Sequence, residues 1–347
     1  MLEGTRVCGL TCGSRGKNAA TEHFKRSNGA RVLMFFWKNR KTRKAEPAAP
    51  ALAAPTEPES RAIGVLRDAV KGLGRNALQE TATSPAECEW LRFRQRLQNS
   101  IAGADPRAFL RWAEIRHTMF VDDQAYVANE LEALQASKRW DSHWRHALAE
   151  DAIGCPPRYA GYPASSGNLI HHAYHLERFV VETDCLPWQL ERVFELGGGY
   201  GSMARLLLRL GFCGTYTILD FPEFCALQRY FLGATGLNTS GLSWVDAPED
   251  IPALTGDSSL LMATWSLSEC PLDFRERVLK AAGVPSHYLI GYQSRFGEVD
   301  NGAFFRTMAR QYGQVRWAAS EISHLPGNYY MFGRATSHLS PKPVNEP

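Results

Sequence analysis

A chain of 347 residues, 44% hydrophobic and 22% charged with a net charge of +3, suits one or two globular domains and excludes a wholly disordered chain. No apolar run reaches the roughly 20 residues of a membrane-spanning helix; the longest early one, Val32 to Trp37, is stopped by Lys38 and Arg40. Eight cysteines without a CxxC pair supply neither a disulfide framework nor a structural zinc site, so a cytoplasmic setting is expected.

Charge is unevenly spread. From Met1 to Ala45 eleven basic residues face only Glu3 and Glu22, a surplus of nine, which leaves −6 on the remainder of a +3 chain. An acidic body repels a phosphate backbone, so nucleic acid is not the expected partner. The basic leader reads as a solvated tail, or as a weak membrane-surface tether through Phe35, Phe36 and Trp37. Translation starting at Met34 is a third reading, and a secretory signal is disfavoured by the short apolar core. Ala45 to Pro58, with four prolines among alanines, reads as an extended linker. Residues 1–60 are thus expected to be a disordered leader and linker, with folding beginning near Arg61.

From 61 to 185 apolar residues recur at helical spacing: Ile63, Leu66, Val70 and Leu73, then Phe109, Trp112, Ile115 and Met119, then Trp140, Trp144 and Leu148. No fixed repeat is visible, so a helical accessory or cap domain is expected. From 186 to 335 short apolar runs alternate with amphipathic stretches, the signature of a parallel α/β sheet. The expected strands are Val193–Leu196, Thr215–Leu219, Leu242–Val245, Leu260–Thr264 and Tyr288–Gly291. Helices are expected over Ser202–Leu210, Pro222–Leu232, Leu272–Ala282 and Ala303–Tyr312. Val315–Ile322 and Tyr329–Phe332, joined through Leu325-Pro326-Gly327-Asn328, predict a terminal hairpin, and 336–347 a disordered tail.

The strongest chemical signal closes the first of these strands. Glu195-Leu196-Gly197-Gly198-Gly199-Tyr200-Gly201-Ser202 links a strand to a helix, where glycines let a nucleotide-like ligand approach the main chain. Asp220 ends the next strand, placed to accept hydrogen bonds from ribose hydroxyls. A tight turn and a helix cap are the bland alternatives. A dinucleotide G-x-G-x-x-G motif would put Ser202 at its third glycine, so NAD fits imperfectly.

The alternating Glu195, Gly197, Gly199, Gly201 series instead resembles the E-x-G-x-G-x-G motif of class I S-adenosylmethionine-dependent methyltransferases. With Asp220-Phe221-Pro222-Glu223, Trp265-Ser266-Leu267-Ser268-Glu269 and the upstream Leu169-Ile170-His171-His172-Ala173-Tyr174-His175-Leu176, the chain from about Ser165 onward is similar to a family of sugar O-methyltransferases. Phe221 stands where that family favours leucine, and Trp265 where it favours a smaller aromatic. The resemblance implies a Rossmann-like α/β sheet with a terminal antiparallel hairpin, S-adenosylmethionine as cofactor, and a sugar, sugar-nucleotide or glycan acceptor. It implies Glu195 near the methionine amino group, Gly197 and Gly199 near the sulfonium and Asp220 on the ribose. Gly198, Gly201, Phe221, Thr264, Trp265 and Ser266 would complete the cofactor site.

O-methyl transfer needs in-line placement of the acceptor and removal of its hydroxyl proton. Glu269, after the fourth strand at the carboxyl edge of the sheet, is one candidate base, though a helix-start carboxylate is an equal reading. The other is a helix from Gly167 onward that sets His171, Tyr174, His175 and Arg178 on one face, with His172 turned aside. Histidines at i, i+4 can share a metal ion, but the glutamate of H-E-x-x-H is replaced by His172, and no metal is expected. Asp246, after the third strand, could accept from an adenine amine or be an ordinary loop residue. Trp265 is the tryptophan placed to stack on a sugar. An NAD-dependent sugar oxidoreductase and a non-catalytic protein retaining the cofactor fold are the alternative functions.

Overall fold

The computed structural model describes residues 52–73 and 85–336; the basic leader with Met34, the linker up to Ala51 and the tail from Ser337 lie outside them. The first helix, α1 (Glu57–Gly72), begins four residues before Arg61 because Thr56 and Glu59 form a capping box. The Glu59 carboxylate accepts from the Thr56 N–H at 2.7 Å while the Thr56 hydroxyl accepts from the Glu59 N–H, which satisfies two end donors of the helix. α2 (Pro85–Gly103), α3 (Ala113–Thr118), α4 (Tyr126–Gln135) and α5 (Gly167–Thr183) follow. Gly167 must be glycine, since a Cβ there would stand 2.4 Å from the Asp122 carbonyl oxygen.

The second half alternates β1 (Arg192–Leu196), α6 (Ser202–Arg209), β2 (Thr215–Leu219), α7 (Pro222–Ala234), β3 (Leu242–Val245), β4 (Ser259–Thr264), α8 (Ser266–Glu269), α9 (Leu272–Ala282), β5 (His287–Gln293), α10 (Asn301–Gln311), β6 (Val315–Glu321) and β7 (Asn328–Ala335). They form one seven-stranded sheet in the order β3-β2-β1-β4-β5-β7-β6. β1 to β5 run parallel and β7 pairs antiparallel with both β5 and β6. This is the expected Rossmann-like α/β sheet with its terminal hairpin.

Alternation along the strands sends successive side chains to opposite faces. Phe194, Leu196, Leu261, Ala263 and Ile290 pack with Val278 of α9 and Phe305 of α10. Val193, Tyr216, Ile218, Met262 and Leu289 share a core with Leu66 of α1, Phe93 of α2, Leu169 of α5 and Leu206 of α6. The upstream helices therefore make one continuous apolar layer with the sheet. A buried ion pair reinforces it: Arg94 of α2 meets Glu223 of α7 at 2.5 Å, at 1% and 0% side-chain exposure.

Four strands exceed their expected lengths, β1 and β4 by one residue at the start and β5 and β7 by more. β5 continues past Gly291, where the missing Cβ admits the Trp265 ring, which a side-chain carbon would meet at 3.4 Å. β7 starts at Asn328, opposite Gln293, and runs to Ala335. No helix among the described residues is long and apolar enough to cross a membrane.

Candidate functional site

The carboxyl ends of β1, β2 and β4 meet where the strand order reverses, the place where open α/β sheets bind ligands. The loop after β1 is built on glycine for steric reasons. Gly197 sits at φ +73°, and a Cβ there would lie 2.5 Å from the Cβ of Ser266, so the loops after β1 and β4 touch. The Ser266 hydroxyl donates to the Leu196 carbonyl and the Gly197 N–H to that of Leu219 at 2.8 Å. Gly199 at φ +58° faces Met119 of the helical layer, 3.6 Å from where its Cβ would be. Gly198 lies over Glu195, and Gly201, at φ +97°, caps α6.

Asp220 is half-buried and fully engaged with the loop. Its Oδ2 accepts from the Gly199 N–H at 3.1 Å and from the Gln228 amide at 2.9 Å, and its Oδ1 from the Phe221 N–H at 2.8 Å. Burial pushes its carboxyl up to about 7; what pulls it back is these donors, not a cation. Glu195 is buried at 3% exposure and accepts from the Tyr216 hydroxyl at 2.8 Å. Burial raises it to about 8, with the Asp220 charge adding to the rise. Two acids raised by burial at the ends of neighbouring strands form an acceptor set suited to a ligand that brings hydroxyl donors and positive charge. A glycine-lined main chain, the half-buried Phe221 ring next to Asp220 and the exposed Asp246 beyond β3 complete the half of the crevice toward β2 and β3. These residues fit an adenosyl sulfonium ligand.

The other half is aromatic and imidazole-rich. Trp265, directly after Thr264 at the end of β4, has φ +66°, a strained conformation for so large a side chain. Its N–H donates to the Gly291 carbonyl at 2.7 Å and its indole N–H to Asn328 at 2.8 Å. Its ring lies 5.8 Å from that of His171 and 5.3 Å from that of His175. α5 thus brings both histidines to the β4 edge, their rings 4.1 Å apart and both buried beside the terminal hairpin, while Tyr174 and Arg178 of the same face are half-buried.

His175 Nδ1 meets the Tyr330 hydroxyl at 2.5 Å, and its buried Nε2 has no partner. Burial, together with the neighbouring histidines, pushes His175 well below its ordinary value. His172, expected to turn aside, instead adjoins the other two, its ring 6.4 Å from that of His171 and 6.0 Å from that of His175, and burial lowers it to about 3. Glu269 is half-buried on α8, its carboxyl raised to about 7 by burial, with the Gln293 amide at 3.5 Å. Behind it the fully buried Arg275 donates to the carbonyls of Ser268 and Cys270 and to Asn301, fixing the α8 turn.

The structure therefore gathers Glu195, Gly197, Gly198, Gly199, Gly201, Asp220, Phe221, Thr264, Trp265, Ser266, Glu269, His171 and His175 along one edge, with Asp246 exposed at its far end. Glu130, His324, Tyr330, Asn328 and Gln228 also belong to it, though no motif announces them. The capacity of Gln228 is the most local signal: it stands on α7 eight residues after Asp220 and binds both Asp220 and the Gly199 carbonyl.

No protein-family model and no curated protein matches the chain. Among solved structures it is similar to a SAM dependent methyltransferase from Aquifex aeolicus, with 18% identity, 46% of this chain and 92% of that chain covered, and a TM-score of 0.35. It is also similar to the methyltransferase domain of a bacterial Hen1, with 13% identity, 46% and 96% covered, and a TM-score of 0.37. A third is a precorrin-6y C5,15-methyltransferase from Geobacter metallireducens, at 13% identity, 49% and 89% covered, and a TM-score of 0.31.

Proposed function

We propose that this protein is an S-adenosylmethionine-dependent O-methyltransferase that acts on a hydroxyl of a sugar, sugar nucleotide or glycan. The observation that carries the reading is Asp220: a carboxylate at the end of β2, bonded to the glycine loop after β1, at the switch point of the sheet. Bound S-adenosylmethionine supplies a methyl group already activated by its sulfonium.

This chain's residues then have separable tasks. Asp220 accepts from the ribose hydroxyls, Phe221 covers the adenine and Asp246 accepts from the adenine amine. Glu195 lies under the glycine loop toward the methionine ammonium. Trp265 offers an aromatic wall to the acceptor, which favours the apolar face of a sugar ring over a flexible chain. His171, His175 and Glu269 ring the end of β4, where a base removing the hydroxyl proton would contribute ~10²- to 10⁴-fold to the rate.

Titration calorimetry on the full chain tests the cofactor half: S-adenosylmethionine binds the wild type, and Asp220→Ala loses that binding. Unchanged affinity in the variant removes the ribose assignment. A labelled methyl donor offered to a panel of sugar nucleotides and surface glycans tests the acceptor half. Transfer to small non-sugar metabolites alone would reject the sugar.

A further inference from the structure

Glu130 of α4 is completely buried, and one of its carboxylate oxygens serves two imidazoles. Oε1 lies 2.7 Å from His171 Nδ1 and 2.8 Å from His324 Nε2. Burial pushes the Glu130 carboxyl up, but the charges and hydrogen bonds of His171 and His324 outweigh it and hold the group below its ordinary value. It is thus ionised at neutral pH, and an ionised carboxylate only accepts, so both contacted nitrogens carry hydrogen. A neutral His171 is fixed as its Nδ1–H tautomer with the lone pair on Nε2. Tyr126, one turn earlier on α4, stacks on His324 at 5.6 Å and packs on His171 at 5.7 Å, closing the cluster from the α4 side.

We propose that Glu130 is the positioning residue of the proton-transfer machinery and that His171, rather than His175 or Glu269, receives the acceptor's proton; the inference rests on the methyltransferase reading. In this step the acceptor O–H bond breaks as its oxygen bonds the methyl carbon. The proton passes to His171 Nε2, and the electron pair of the carbon–sulfur bond stays on the donor sulfur. The imidazolium so formed faces the Glu130 anion through its other nitrogen, which offsets its charge without any rearrangement.

The competing groups lack this support. His175 is backed by the neutral phenol of Tyr330 and is surrounded by His171, His172 and His324, which disfavour a further positive charge. Glu269, raised to about 7 by burial, has only the Gln293 amide at 3.5 Å to orient it, and the Arg275 charge opposes its taking up a proton. The groups facing His171 are Glu130 and Tyr126 from α4, His172 and His175 from α5, His324 from the hairpin turn and the Trp265 ring.

The ¹⁵N resonances of the histidine rings in the full chain, assigned with His171→Asn, test this directly when read in the pH range where the His171 ring carries a single proton. The wild type is expected to carry the His171 proton on Nδ1 and none on Nε2. In Glu130→Gln the amide oxygen can still accept from both imidazoles at the Oε1 position, but the anion that offsets the imidazolium is gone. With an acceptor from the panel, that variant is expected to lose ~10²- to 10⁴-fold in kcat, with the calorimetric affinity for S-adenosylmethionine unchanged and partial recovery in Glu130→Asp. A wild-type His171 protonated on Nε2, or Glu130→Gln methylating at the wild-type rate, overturns the inference. The wild-type spectrum decides alone if Glu130→Gln does not fold. Absence of cofactor binding by the wild type would instead remove the methyltransferase reading and leave the tautomer measurement standing.

Discussion

Glu195, Asp220 and Glu269 are raised to about 8, 7 and 7, in each case chiefly by burial. An acid whose folded value lies above its unfolded one binds more protons folded than unfolded in between. Their contribution to stability is therefore fully present below the ordinary carboxylate range and is lost as pH rises toward about 8; denaturant titrations of the ligand-free chain across that window are expected to show the fall. A cationic, hydroxyl-bearing ligand favours the ionised forms. Calorimetry in buffers of different ionisation heat should then detect proton release on S-adenosylmethionine binding at about pH 7, reduced in Asp220→Asn. At this scale the legible residues were those whose chemistry is declared locally: the glycine loop and Asp220 lie one strand–helix unit apart. Glu130 and His324 were not legible, because they meet His171 and each other across separations of 41 and 194 residues that no local period encodes.

Among the elements, the contact between the loops after β1 and β4 gives the sharpest expectation. Gly197→Ala must adopt φ +73° and displace Ser266, which stands 2.5 Å from the new carbon. A loss on the order of 1–3 kcal/mol is expected in thermal or chemical unfolding. Gly197→Ala/Ser266→Gly should recover the overlap and leave the ~1–2 kcal/mol of left-handed backbone strain; strict additivity in this double-mutant cycle would deny the contact. Strand and helix periods made most elements readable, and β2, β3 and α9 fall where the pattern places them. What local pattern missed was set by pairing partners. Gly291 reads as a strand end, yet β7 carries β5 past it to Gln293, while the start of α1 was hidden in a proline-rich run until Thr56 and Glu59 closed their box.

For the whole molecule, the helical layer and the sheet stand or fall together. Leu66, Phe93 and Leu169 share one core with Val193, Tyr216 and Leu289, so a fragment starting at residue 186 would expose a large apolar face. It is expected to aggregate or to lack a cooperative transition, whereas a soluble two-state fragment would contradict the shared core. The Arg94–Glu223 pair tests the same junction. Arg94→Met strands a buried carboxylate and is expected to cost about 3–5 kcal/mol in chemical unfolding, with much of it returned by Arg94→Met/Glu223→Leu. A change in composition near residue 185 is visible along the chain; that the two segments share a single interior is not, because the faces that meet come from elements far apart in sequence.

Trp265 gives this architecture a last consequence. Its indole packs against a pair of imidazoles that touch each other and is anchored to Asn328, and the next residue, Ser266, abuts the glycine loop. Trp265 and Ser266 thus join the two halves of the crevice through one short, strained segment of chain. Under the proposed methyltransferase function, initial-rate kinetics are expected to follow a compulsory order of addition, methyl donor before acceptor; random entry would deny that the two halves are coupled.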